Sequence, residues 1–187
     1  MSGFRSKKIE KYDIMSETWT SLPDLSYERT YPNVLIYNNN IFVFGKINNL
    51  NEEQSTDNII EYFNIENENE NKWNQIKINI KFPFNSGIIK IDNDKFLLVG
   101  GKMELNENSV NTCYNLNINN INNNYNIDIH LSEIQLEYQD EFNGRSFNYL
   151  GENSIEYGLF SSINQYLLCL YNKNKKEFKY MKCDNSE

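Results

Sequence analysis

The 187-residue chain carries 18 lysines and arginines against 26 aspartates and glutamates, for a formal net charge of −8. A chain this acidic lacks the basic surface that neutralises phosphates, and no apolar run approaches the roughly 20 residues of a membrane-spanning helix. The sequence therefore predicts neither a nucleic-acid nor a membrane partner. Leu, Ile, Val and Phe total 51 residues, enough for a core, and the length suits about one domain. Asn occurs 34 times and Ala never. Helix is disfavoured almost everywhere by the missing Ala, and the Asn content points to many turns.

The first ten residues, MSGFRSKKIE, hold charges but no apolar stretch, so 1–10 reads as a disordered lead and not as a signal peptide. From there the chain repeats itself. Four segments share a tyrosine, a polar turn and a second aromatic: YDIMSETW (12–19), YFNIENENENKW (62–73), YNLNINNINNNY (114–125) and YNKNKKEF (171–178). Their leading residues Tyr12, Tyr62, Tyr114 and Tyr171 lie 50, 52 and 57 residues apart, and the second aromatic follows at intervals of 7, 11, 11 and 7. A strand pair joined by a variable hairpin accepts a four-residue insertion, whereas a helix would rotate its faces out of register.

Upstream of the second segment stand YPNVLIYNN (31–39) and NNIFVFGK (39–46). Upstream of the third stand SGIIKIDN (86–93) and DKFLLVGG (94–101). Both pairs are β-rich strands broken by Asn/Asp turns. Each unit thus reads as strands a, b, c and d, with a long loop between b and c. The last unit keeps the plan as RSFNYLG, SIEYGLFSS, QYLLCLYN and EFKYMKC, with Ser161–Ser162 standing where the third unit has Gly100–Gly101. Residues 131–142 are expected to form an extended connection between units.

This pattern resembles the kelch repeat, a unit of roughly 50 residues that forms one four-stranded blade of a β-propeller. The stretch WTSLPDLSYERTYPNVLIYNNNIFVFG (19–45) is most similar, with Trp19, Leu22–Pro23, Arg29 and Gly45 in the family's order; the diglycine is intact at Gly100–Gly101. The resemblance implies an all-β propeller segment. Its expected parts are a half blade of strands c and d at 11–30, blades at 31–84 and 85–142, and a degenerate blade at 143–187. These make about three and a half four-stranded blades in an open arc, a piece of a larger propeller. The aromatics Tyr12, Trp19, Tyr62, Trp73, Tyr114 and Tyr125 are expected to fill the space between blades. Self-association or flanking blades are expected to cover the open ends.

Chemistry-bearing residues are sparse. His130 is the lone histidine and falls in the fourth strand of the third unit, whereas copper or iron sites use two or more imidazoles. Cys113 and Tyr114 are sequence neighbours, so on a strand they face opposite ways and do not form the cross-link of galactose-oxidase-like relatives. Cys113, Cys169 and Cys183 show no C-x-x-C spacing and suggest neither disulfide framework nor zinc site. No Asn is followed two places later by Ser or Thr, which with the odd cysteine count leans the expectation toward the cytoplasm. No P-loop or Rossmann glycine pattern occurs. The sequence predicts no enzyme, no catalytic residue, no metal and no cofactor.

Function is then expected in the loops, where rigid β scaffolds carry it. The b–c and d–a connections are the longer set, at 46–58, 102–111, 22–29 and 131–145. They are slightly more acidic than the opposite face. The residues expected to contact a protein partner of unknown identity are Glu52, Glu53, Asp57, Glu104, Glu107, Tyr27, Arg29, Tyr138, Asp140 and Arg145. The alternative is a piece of a kelch-fold enzyme whose catalytic residues lie outside this chain.

Overall fold

The computed structural model describes residues 6–30, 32–47, 58–67, 72–78, 80–81, 83, 86–103, 112–121, 124–135, 149–150, 155–161, 166–172 and 175–182. Among them every regular element is a β-strand. The first two strands, β1 (Glu10–Asp13) and β2 (Thr18–Ser21), make a two-stranded sheet. Three four-stranded sheets follow. They comprise β3 (Asn33–Tyr37), β4 (Asn40–Phe44), β5 (Ile59–Asn64) and β6 (Asn74–Lys77); β7 (Gly87–Lys90), β8 (Lys95–Val99), β9 (Thr112–Ile121) and β10 (Asn124–Gln135); and β11 (Tyr149–Leu150), β12 (Ile155–Ser161), β13 (Tyr166–Asn172) and β14 (Glu177–Lys182). Each is an antiparallel meander whose spatial order follows the chain, and none closes on itself.

The chain divides into two compact units, Met1–Phe84 and Asn85–Glu187. In the first, Val43, Phe63 and Trp73 of the β3–β6 sheet and its d-strand approach bury against Ile9 and Leu25, which flank the β1–β2 hairpin. In the second, Ile89, Leu97, Val99 and Cys113 of the β7–β10 sheet bury against Tyr171 of β13. Both cores lie between neighbouring sheets, as expected when each sheet is apolar on the face it presents to the next.

Local backbone geometry explains the turns. Asn38 and Asn39, between β3 and β4, both have positive φ, at 45° and 59°, the pair of left-handed residues that a two-residue hairpin turn requires and Asn tolerates. The β1–β2 and β13–β14 hairpins each turn in four residues, with Glu17 and Lys176 at φ 55° in matching places. Gly45 and Gly100 end strands β4 and β8 at φ 117° and 65°, conformations that a Cβ would oppose. Their carbonyls are satisfied by different donors: Arg29 Nη1 donates to Gly45 O at 3.0 Å, and the Ser86 hydroxyl donates to Gly100 O at 3.0 Å.

Several sequence expectations need correcting. Residues 6–9 are not a loose lead: Leu25 N donates to Lys7 O and Leu22 N to Ile9 O, both at 2.9 Å, and Ile9 is buried. Residues 1–5 lie outside the described residues. The tyrosine alignment also shifts. With the strand-ending glycines and the inter-strand ladders as anchors, Tyr12 corresponds to Phe63, Leu116 and Tyr171, not to Tyr62 and Tyr114. The partners on strand d are Trp19, Trp73, Ile129 and Phe178.

The third hairpin does not lengthen its turn. Its extra residues extend β9 and β10, which stay paired from Leu116–Ile129 out to Ile121–Asn124. Strand β10 also runs through 131–135, where a connection between units was expected; 136–148 lie outside the described residues. In the last sheet the ladder sets Phe160–Ser161, not Ser161–Ser162, at the position of Gly100–Gly101.

Of the six aromatics expected to fill inter-sheet space, Trp73 is buried. Tyr62, Tyr114 and Tyr125 are half-buried, while Tyr12 and Trp19 remain 44% and 55% exposed. Alternation decides this. Tyr62 lies beside Phe63 on β5, and only one of two adjacent strand residues can face the neighbouring sheet.

Candidate functional site

The connection at 22–29 is the one described loop of those expected to carry function, and it is fixed along its length. Leu25 is buried, Trp73 Nε1 donates to Pro23 O at 2.7 Å, and the Lys8 ammonium pairs with Asp24 Oδ2 at 2.9 Å. Further along, Ser26 N donates to Glu61 Oε1 at 2.6 Å, and the Ser26 hydroxyl accepts from Gln75 Nε2 at 2.9 Å. These bonds tie the loop to β5, β6 and the chain entering β1.

Beneath it lies an ion pair. Arg29 is 0% exposed. Its Nε and Nη2 donate to Glu61 Oε2 at 3.1 and 2.9 Å, Nη2 also donates to Ile59 O at 3.0 Å, and Nη1 reaches Gly45 O. Burying two charges costs several kcal/mol per ion unless each finds good hydrogen-bond geometry. Here the planar guanidinium supplies donors to the end of β4 and to two places on β5 at once. Its chemistry is that of a clamp, holding β4, β5 and the loop together.

Arg29 was expected to contact a partner; the structure places it wholly inside, committed to Glu61 and two backbone carbonyls. Tyr27 is half-buried on the same loop, and Glu28 beside it is exposed. The other expected contact residues, Glu52, Glu53, Asp57, Glu104, Glu107, Tyr138, Asp140 and Arg145, lie outside the described residues. Sequence reasoning missed Glu61. Its signal is a single carboxylate inside the apolar strand IIEYFN, on the inward side of the pleat.

Reactive groups are few among the described residues. His130 stands exposed on β10, with Nδ1 3.6 Å from Asp128 Oδ2. No group of three or more His, Cys, Asp and Glu is arranged to hold a metal ion among these residues. Burial pushes the Cys113 thiol up to about 12, so it is protonated at neutral pH and is no nucleophile. No helix among the described residues is long and apolar enough to cross a membrane.

The fold and this loop define an antiparallel all-β protein built from repeated sheets, with one connection held by a buried ion pair. No model of a known protein family matches the chain, and no curated protein matches it.

Proposed function

We propose that the chain is a kelch-like β-propeller segment that acts as a non-catalytic scaffold for binding another protein. The observation that carries this reading is the repetition of one plan: three four-stranded antiparallel meanders and a two-stranded one. Their strand c and strand d residues pair in corresponding register. Repeats of this kind stack into a rigid support whose connections are available for recognition.

The connection at 22–29 fits that role. Its backbone is already held by Glu61, Trp73 and Lys7, so a partner gains contacts without ordering a loop. Its outward side offers Tyr27 with Asp24 and Glu28, suiting a partner surface that pairs an apolar contact with basic groups.

The test is capture by immobilised protein, comparing the native chain with Tyr27→Ala/Glu28→Lys. Loss of specific, stoichiometric partners from the variant, with its far-UV spectrum unchanged, supports the reading. An identical set of captured proteins from both would overturn the role of this loop.

A further inference from the structure

Two of the four-stranded sheets join strand c to strand b through the same backbone positions. Ile65 N donates to Asn39 O and Ile118 N to Asp94 O, both at 2.9 Å. By alternation Phe63 and Leu116 then turn their N–H and C=O groups toward β4 and β8. Tyr12 holds the position of these two residues on β1. Leu22 N donates to Ile9 O, which sets the backbone of Ile9 toward β2 and, three residues on, that of Tyr12 away from it. Among the described residues β1 has one sheet neighbour, β2.

The apolar interface beside that edge stops short. Val34, Ile36, Ile41, Val43 and Phe63 share one face of the β3–β6 sheet by register. Val43 and Phe63 are buried with Trp73 against Ile9 and Leu25, and Ile41 is half-buried. Val34 and Ile36, on the outermost strand β3, are 48% and 63% exposed. Ile88, at the ladder position of Val34 on β7, is 3% exposed. The chain leaving β2 meets Trp73 and Gln75 through Pro23 and Ser26. Those bonds place β2 on the β6 side of the sheet and turn the other edge of β1 toward β4 and β3. The cover over the β3–β6 sheet is thus two strands wide where the face beneath it is four.

We propose that β1 and the Val34–Ile36 surface bind an extended segment of a partner protein, added antiparallel to β1 as a further strand. Its chemistry is that of β4 and β8, which take this place in their own sheets and bury apolar residues on both faces. One face of the added strand continues the Ile9–Leu25 interface over Val34 and Ile36, and the other flanks the Tyr12 ring. A second copy has no such strand to lend, because β4, β8 and β12 each lie between two neighbours. A second β1 would bring its own β3–β6 sheet to the same edge. The inference uses neither Tyr27 nor Glu28, and it stands whether or not the family reading holds.

Fluorescence anisotropy of the full chain with a labelled peptide copying residues 94–101, DKFLLVGG, tests it. In β8 Phe96 lies opposite Leu116, the place Tyr12 takes on β1. Saturable binding is expected. N-methylation of the peptide at its copy of Phe96 should weaken it by about tenfold or more, as loss of a strand-pairing hydrogen bond does. Tyr12→Pro removes the matching N–H at a position where a strand edge tolerates proline, and Val34→Ser/Ile36→Ser removes the apolar cover. Each should weaken binding to a similar degree with the far-UV spectrum unchanged; if Tyr12→Pro alters that spectrum, the N-methylated peptide and the serine variant decide. Absence of saturable binding overturns the proposal, as does binding that N-methylation or Val34→Ser/Ile36→Ser leaves unchanged. Sedimentation of the native chain checks the source: self-association that Val34→Ser/Ile36→Ser abolishes would assign the edge to a second copy and overturn the partner.

Discussion

Arg29 and Glu61 show how a single residue pair fixes two strands and a loop. The guanidinium bonds to Glu61, Gly45 O and Ile59 O without solvent contact, and Glu61 in turn receives the Ser26 amide. Removing one member leaves the other charge buried without its partner. Arg29→Met is therefore expected to cost about 3–5 kcal/mol of stability in denaturant unfolding. Arg29→Met/Glu61→Leu should cost less than the sum of its two single changes, because the second change removes the stranded charge. A loss below about 1 kcal/mol for Arg29→Met would mean that the pair contributes little. The burial of Arg29 was not legible in the sequence. Its acid partner lies 32 residues away, and a loop position next to Tyr27 and Glu28 reads as surface until that contact is known.

At the scale of elements, the hairpins reuse one device. The residue after the strand-c aromatic caps the following turn: Asp13 Oδ1 accepts from Met15 N and Ser16 N at 2.8 and 2.9 Å, Asn64 Oδ1 from Glu66 N and Asn67 N, and Asn172 Oδ1 from Lys175 N. Such side chains mimic a backbone turn. In Asp13 the two amides, Ser16 foremost and then Met15, favour the ionised carboxylate and hold its pKa below the ordinary 3.8. A lowered carboxyl pKa adds stability at neutral pH that is lost as pH falls through the lowered value. An NMR titration should find Asp13 ionising below 3.8, with the Met15 and Ser16 amides shifting at the same midpoint. A midpoint at or above the ordinary value would show that the cap does not form. The Asn64 and Asn172 caps carry no charge and should not respond. The strands themselves were legible, because runs such as NIFVF and KFLLV stand out between Asn and Gly turns. Register was not. Tyr62 and Phe63 are both large strand residues, and only the ladder to β4 decides which faces the neighbour. In the third hairpin an Asn-rich stretch that reads as a turn is drawn into paired strands.

At the scale of the molecule, the all-β character of the described residues follows from composition: no Ala, 34 Asn and β-branched or aromatic runs leave little to nucleate a helix. Far-UV circular dichroism should accordingly show a β-sheet spectrum; helix above about 15% would contradict the fold. Sheets drawn to one plan invite the thought that they are exchangeable parts, and the strand-ending glycines argue otherwise. Gly45 O is met by a guanidinium that also needs Glu61, whereas Gly100 O is met by the Ser86 hydroxyl, and Tyr114 takes the ladder position of Glu61. A chimera carrying β5 in place of β9 would import a buried carboxylate with no arginine to receive it. The converse swap would strand Arg29. Shuffling repeats within this chain would thus fail at a polar contact, so each sheet and the connection leading into it must be inherited together.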